Sequence, residues 1–327
     1  MPSTVIRAPN HLGDLVMALP ALRAAGPADV VVLRFLAPLL RLAGLPGEVI
    51  PLDRGAGGML AAARELRARR YDQGVLLTPS LGSALLFALG AVRRRRGTKS
   101  DSRGALLTEA VRADALTGLH RAAAYYTLVS GERPSYAPVP VLQVDDAARA
   151  EWRALASGLD APFVGVFPGG NAPSRRWDAD RFAEVARALV ADGLAVAVFG
   201  GPDERELTAQ VAGDWATDLG GRTSLPALAA GLAECSLLFT NDSGPMHLAA
   251  AVGTRTVSLW GAGDPGVTRP LGAGHALVRH PELPCVPCVR NVCPRTGQKG
   301  FVLRDGTNEC LRLIAPADVR PRLREEA

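Results

Sequence analysis

The residues best suited to chemistry lie in one block, Thr240-Asn241-Asp242-Ser243-Gly244-Pro245-Met246-His247. An apolar run precedes it and a helical pattern follows. Ser243 stands where a helix N-cap is expected. Pro245 fits the first turn, where its missing N–H costs nothing. Gly244 lets a bulky anion approach the backbone, and the free N–H groups at a helix start bind phosphate. His247, about one turn further on, can face the same anion. A capped helix with an ordinary histidine is the plainer alternative, yet Asn-Asp-Ser-Gly is more polar than a cap requires.

A second segment, Phe167-Pro-Gly-Gly-Asn-Ala-Pro-Ser-Arg175-Arg176-Trp177, also leaves an apolar run through glycines. Breaking a bond to a diphosphate concentrates negative charge on the leaving group. Arg175, Arg176 and a helix dipole can stabilise that charge without a metal. The alternative is a solvated loop with Trp177 buried. Asp178-Ala-Asp180 has the form of a divalent-metal pair, but it precedes a helix, so the reading is an N-cap and no metal. In Gly200-Gly-Pro-Asp203-Glu204 an acidic side chain could accept from a ribose hydroxyl or simply favour a helix start. Asn10-His-Leu-Gly-Asp14 is not a Gly-x-Gly-x-x-Gly fingerprint. Asp14 could cap a helix, or act as a general base on an acceptor hydroxyl. The run Arg93–Arg96 reads as solvated, or as meeting a phosphorylated acceptor at an anionic membrane surface. Four of the five cysteines, Cys285, Cys288, Cys293 and Cys310, have two, four and sixteen intervening residues. The last spacing is wide for zinc, so structural thiols are favoured over a metal site. Cys235 reads as a core residue.

The loops at Asn10–Asp14, Phe167–Trp177, Gly200–Glu204 and Thr240–His247 share a position: each follows a strand and leads toward a helix. In the first half, strands are expected at Thr4–Ala8, Val30–Phe35 and Gln73–Thr78, and helices at Leu15–Ala25 and Met59–Arg70. From Arg93 to Val141 the pattern is less regular, with a helix near His120–Ser130 and prolines at 134, 138 and 140. The second half alternates strictly. Strands are expected at Phe163–Phe167, Ala195–Gly200, Ala216–Leu219, Leu237–Thr240 and Thr256–Trp260. Helices are expected at Asp180–Asp192, Glu204–Gly213, Leu225–Glu234 and Gly244–Val252. Such alternation implies open parallel sheets whose ligands bind at the carboxyl ends of the strands. Two α/β domains follow, 1–156 and 157–327, with the helix at 145–158 leading into the link.

At 327 residues the chain suits two domains, and 48% hydrophobic residues exclude disorder as its main state. The formal charge of +5 is nearly all arginine, because lysine occurs only at Lys99 and Lys299. Arginine pairs bidentately with phosphates and carboxylates. The charge is not interleaved with aromatic residues and no nucleic-acid motif is present, so nucleic acid is not expected as a partner. Residues 1–20 read as strand, loop and helix rather than a secretory signal, and Tyr71–Val92 is too interrupted for a span. A cytoplasmic location is expected.

On these residues the chain resembles the glycosyltransferase family of the lipopolysaccharide heptosyltransferases (glycosyltransferase family 9), closest to its heptosyltransferase II branch. The resemblance is carried by Arg7–Leu22, Tyr71-Asp-Gln, Thr78–Ala84, Arg96-Gly97, the loop to Trp177, Gly200–Glu204, Thr240–Ala250 and Cys285–Cys310. It implies two Rossmann-like domains facing across a cleft, the GT-B type, with the acceptor on the first and the nucleotide sugar on the second. It implies ADP-heptose as donor, the lipopolysaccharide inner core as acceptor at the inner face of the membrane, inversion, and no cofactor or catalytic metal. Asp14 would be the base. Asn241, Asp242, Ser243, Gly244 and His247, with Arg175 and Arg176, would hold the donor's phosphates and sugar. Asp203 or Glu204 would face its nucleoside, and Asn10, Arg95 and Arg96 the acceptor. Where the family usually has a lysine just before the tryptophan, this chain has Arg175 and Arg176. The alternatives are a nucleotide-sugar epimerase or hydrolase of the same architecture, or a non-catalytic nucleotide-sugar-binding homologue.

Overall fold

Strands short enough to be buried on both faces, joined by helices, leave the backbone one economical arrangement, a parallel sheet with helices on its two sides. The computed structural model, which describes residues 3–100, 102–293 and 309–326, contains this arrangement twice. The chain divides into two compact units, Met1–Gln143 and Val144–Ala327.

The first unit has strands β1 (Thr4–Arg7), β2 (Ala28–Leu33), β3 (Val49–Leu52), β4 (Gln73–Leu76), β5 (Arg94–Thr98) and β6 (Glu109–Val111). Its helices are α1 (Leu12–Ala24), α2 (Ala37–Arg41), α3 (Gly55–Arg69), α4 (Leu81–Leu89) and α5 (Arg121–Ser130). The sheet order is β3-β2-β1-β4-β5-β6, all parallel. Val5, Val31, Leu66, Leu76 and Phe87 form part of its core. The arginine run, expected as a solvated segment, lies largely in β5, an interior strand. The ladder explains this: Gln73 to Leu76 pair with Arg94 to Gly97, and Arg96 to Thr98 pair with Glu109 to Val111.

The second unit has helices α6 (Asp146–Leu155), α7 (Ala179–Ala191), α8 (Arg205–Ala212), α9 (Leu225–Glu234), α10 (Gly244–Ala251), α11 (Pro265–Thr268), α12 (Glu309–Arg312) and α13 (Pro316–Glu326). Its strands are β7 (Phe163–Phe167), β8 (Ala195–Gly200), β9 (Thr217–Gly220), β10 (Cys235–Asn241), β11 (Arg255–Trp260) and β12 (His275–Arg279). The order β12-β11-β10-β7-β8-β9 repeats that of the first sheet. β12 is a sixth strand beyond the five read from the sequence. Trp177, Phe182 and Phe239 stack edge-on or tilted in this core, and Ile314, just ahead of α13, with Val319 and Leu323 of α13, closes it.

The division falls at 143/144, ahead of the expected 156/157, because α6 goes with the second unit. Its Trp152 is fully buried against Phe163 and Phe199, and its indole N–H donates to Glu234 at 2.8 Å. Among the described residues no helix is long and apolar enough to cross a membrane.

Candidate functional site

Each sheet reverses its strand order once, at β1/β4 in the first unit and at β7/β10 in the second. Loops leaving the carboxyl ends of strands at such a point splay apart and leave room for a ligand.

In the second unit, β10 ends at Asn241 and α10 starts at Gly244. Ser243 occupies the N-cap with extended backbone, but its side chain makes no capping hydrogen bond. Its Oγ lies instead 3.2 Å from Thr240 Oγ1. The first-turn N–H groups of α10 therefore have no side-chain cap, and a helix start in that state favours an anion. The loop after β7 lies beside it: a Cβ on Gly170 would stand 3.7 Å from Ser243 Cβ.

Asp242 is buried, 3% exposed, and Arg175 Nη1 lies 3.3 Å from its Oδ2. The pair is close but misaligned, so Oδ2 accepts no hydrogen bond. Burial pushes this carboxyl from 3.8 up to about 6, with Arg175 pulling the other way. A Cβ on Gly263 would stand 2.0 Å from the same Oδ2, so a side chain in the turn after β11 would have to displace the Asp242 carboxylate. His247 is buried in α10.

Two of the expected donor contacts are engaged in building the site. Asn241 is fully buried. Its amide donates to Pro168 O at 2.7 Å and Gly169 O at 3.2 Å, and its Oδ1 accepts from Trp177 N at 3.1 Å. It fastens both ends of the β7 loop to the end of β10. Glu204 accepts from Gly170 N and Gly201 N, both at 2.8 Å, so each carboxylate oxygen ties down one glycine loop. A Cβ on Gly169 would fall 2.0 Å from Glu204 Oε1. Asp203 is exposed. Arg176 is also partly committed, since its Nε donates to Gly170 O at 2.6 Å. Asp178 caps α7 by accepting from Asp180 N and Arg181 N, and Asp180 accepts from the Gln210 side chain.

In the first unit, β1 ends at Arg7 and α1 begins at Leu12, which puts Asp14 in the first helical turn rather than at the N-cap, His11. Its Oδ1 accepts from Tyr125 Oη at 3.0 Å and lies 3.8 Å from Arg121 Nε. Both partners are on α5, which packs along α1. Sequence reading missed them because Tyr125 is 111 residues from Asp14 and carries no local signal. Asn10 Oδ1 accepts from Arg7, whose guanidinium also donates to Ala8 O and Val31 O. Burial lowers the Arg7 pKa to about 10.

Arg95 and Arg96, expected at the acceptor with Asn10, spend their guanidinium groups on partners within the first unit. Arg95 donates to Leu106 O at 2.6 Å and Val92 O at 2.7 Å. Arg96 donates to Leu128 O at 2.8 Å and pairs with Glu109. Each satisfies backbone carbonyls of the segments packed around β5.

Cys285, Cys288, Cys293 and Cys310 are free thiols, and residues 294–308 of that motif lie outside the described residues. The segment docks on the second unit through Val289 N to Ala262 O at 2.8 Å and Ser174 N to Asn291 O at 3.1 Å. Burial, reinforced by the three other thiols, pushes Cys310 up to about 11. Among the described residues no group of three or more His, Cys, Asp or Glu is arranged to hold a metal ion. Cys235 is buried in β10.

Comparison with known proteins gives a consistent picture. The family model of glycosyltransferase family 9 (heptosyltransferase) matches residues 59–298. Lipooligosaccharide heptosyltransferase 2 of Haemophilus influenzae is 30% identical over 308 residues, covering 84% of this chain and 88% of that one. Lipopolysaccharide heptosyltransferase 2 of Escherichia coli is 27% identical over 299 residues, covering 83% and 86%. The solved structure of E. coli ADP-heptose lps heptosyltransferase II matches with a TM-score of 0.83 at 24% identity, over 98% of this chain and 97% of that one. Two parallel six-stranded Rossmann-like sheets are the GT-B pattern these structures share. The chain belongs to glycosyltransferase family 9, the family of the heptosyltransferases.

Proposed function

We propose that the chain transfers a heptose from ADP-heptose to a hydroxyl of the lipopolysaccharide inner core, with inversion at the anomeric carbon. The observation that carries this reading is the uncapped start of α10 at the sheet reversal, with Arg175 and the Gly169–Gly170 loop beside it. That arrangement suits a diphosphate leaving group, whose charge grows as its bond to the sugar breaks. Family membership supports the sugar chemistry.

In this reading the second unit binds the donor. The α10 N-terminus, Ser243 and Gly244 take the phosphates, and Arg175 answers the charge that develops on them. Asp242 and His247 face the sugar. The first unit binds the acceptor, with Asn10 near the end of β1. Asp14 accepts the proton of the attacking hydroxyl as its oxygen bonds to the anomeric carbon. The anomeric carbon–oxygen bond to the diphosphate breaks with its electrons, and ADP departs. Asn241 and Glu204 shape the donor loops, and Arg95 and Arg96 stabilise the sheet. Such an enzyme would work in the cytoplasm against the inner face of the membrane that displays its acceptor.

The test measures ADP release from ADP-heptose with and without a lipopolysaccharide-core acceptor. Release that depends on acceptor, with a heptosylated product by mass, is expected. Equal turnover without acceptor would make the chain an epimerase or hydrolase, and ADP-heptose binding without turnover would make it a non-catalytic binder.

A further inference from the structure

The base assigned to Asp14 leaves open what holds it. A carboxylate in the first turn of a helix can rotate about its χ angles and turn toward the free N–H groups of that turn. In this chain α5 intervenes. Tyr125 is buried, and its hydroxyl has Asp14 Oδ1 as its hydrogen-bond partner at 3.0 Å. Arg121, one turn earlier on α5, brings Nε to 3.8 Å from the same oxygen. Among the described residues Oδ2 of Asp14 has no such partner, and the side chain is 31% exposed. One oxygen is fixed and the other is presented.

We propose that Tyr125 and Arg121 are positioning residues for the transfer reaction, holding Asp14 Oδ1 so that Oδ2 meets the acceptor hydroxyl. The inference rests on the reading of Asp14 as the base. A base within about 3 Å of its proton works through geometry first, and a small misplacement lowers the rate without loosening the substrate. Tyr125 suits this role because burial and the neighbouring carboxylate both hold its hydroxyl protonated, well above the usual tyrosine range, so it remains a donor at any working pH. Arg121 is half-exposed and adds charge to the same oxygen.

The experiment is steady-state transfer by wild type, Tyr125→Phe, Asp14→Asn and the double variant. Tyr125→Phe is expected to lower kcat about tenfold with both KM values unchanged, the size of a lost hydrogen bond to a charged group. In the Asp14→Asn background it should change the residual rate by less than about twofold, because its effect passes through Asp14. Full kcat in Tyr125→Phe, or an equal loss in the Asp14→Asn background, would overturn the proposal. Full activity in Asp14→Asn would instead remove the base reading, a separate outcome. Should Tyr125→Phe fail to fold, the half-exposed Arg121 gives the same test. Arg121→Gln should lower kcat and Arg121→Lys restore most of it. An Arg121→Gln that keeps kcat, or that raises only the acceptor KM, would overturn it.

Discussion

Asp14 and Asp242 stand at the reversal points of two sheets with the same strand order, yet their surroundings differ in kind. Asp14 is partly exposed, and one of its oxygens accepts a hydrogen bond from Tyr125 and forms a longer ion pair with Arg121, both on α5. Asp242 is almost fully buried, meets one misaligned arginine, and leaves Oδ2 without a hydrogen bond. The fold delivers a carboxylate to the mouth of each sheet, and the neighbouring helix or loop decides what it can do. A supported, accessible carboxylate suits proton transfer. A buried, poorly paired one carries a folding penalty that a polar ligand could relieve.

The comparison would break most visibly at Asp14. Asp14→Asn keeps the shape and the contact with Tyr125 but removes the basic oxygen. It is expected to lower kcat about a thousandfold, within the usual range for loss of a general base. Melting temperature should stay close to wild type, since Asp14 is partly exposed. A kcat within a few-fold of wild type would mean the two carboxylates do not differ as argued.

Asp242 should show the reverse, a change in stability that depends on pH. Its folded pKa, about 6, lies above the ordinary 3.8. The folded state therefore holds its proton more tightly than the unfolded chain does. Stability is undiminished below about pH 4, falls as pH rises from there to about 6, and carries the full penalty above. Asp242→Asn removes that penalty. It should raise stability by about 3 kcal/mol at pH 8, the pull of Arg175 being already contained in the folded pKa, and by little at pH 4. Thermal melts at the two pH values check this, and donor KM should rise at the same time, the usual exchange between stability and function. A variant destabilised equally at both pH values would show that the pair stabilises the fold.

The same contrast between local and distant causes explains what the sequence disclosed. The second sheet was largely legible because its inner strands are apolar runs, two of them ending in Gly or Asn, as in Ala195–Gly200 and Cys235–Asn241. β12 was missed because it is a half-buried edge with mixed residues, and β5 because four arginines in a row mimic a solvated loop. The helix α6 was recognised, but its allegiance depends on where Trp152 is buried, which no local pattern states. At the site, the open helix start at Ser243 was readable from residue types. The engagement of Asn241 with the β7 loop and of Glu204 with two glycine loops was not, because these bonds join segments 34 to 73 residues apart or fold back locally on glycine N–H groups.

The smallest expected effects concern arginines, and they sharpen the same distinction. Arg175 approaches a buried carboxylate at a sheet reversal, whereas Arg95 satisfies carbonyls inside the β5 neighbourhood. Arg95→Gln should therefore cost about 1 kcal/mol of stability, the net worth of such hydrogen bonds, and leave acceptor KM unchanged. Arg94 is exposed, with no side-chain hydrogen bond or ion pair among the described residues. It is the member of the run best placed to act by charge alone. If the run serves only as a strand, Arg94→Gln changes neither the melting temperature nor kcat/KM by a measurable amount, because an isolated surface charge contributes little. Acceptor titrations at low and high salt make the decision. An acceptor KM that rises in Arg94→Gln at low salt, and returns to the wild-type value at high salt, would show that this face attracts the acceptor after all.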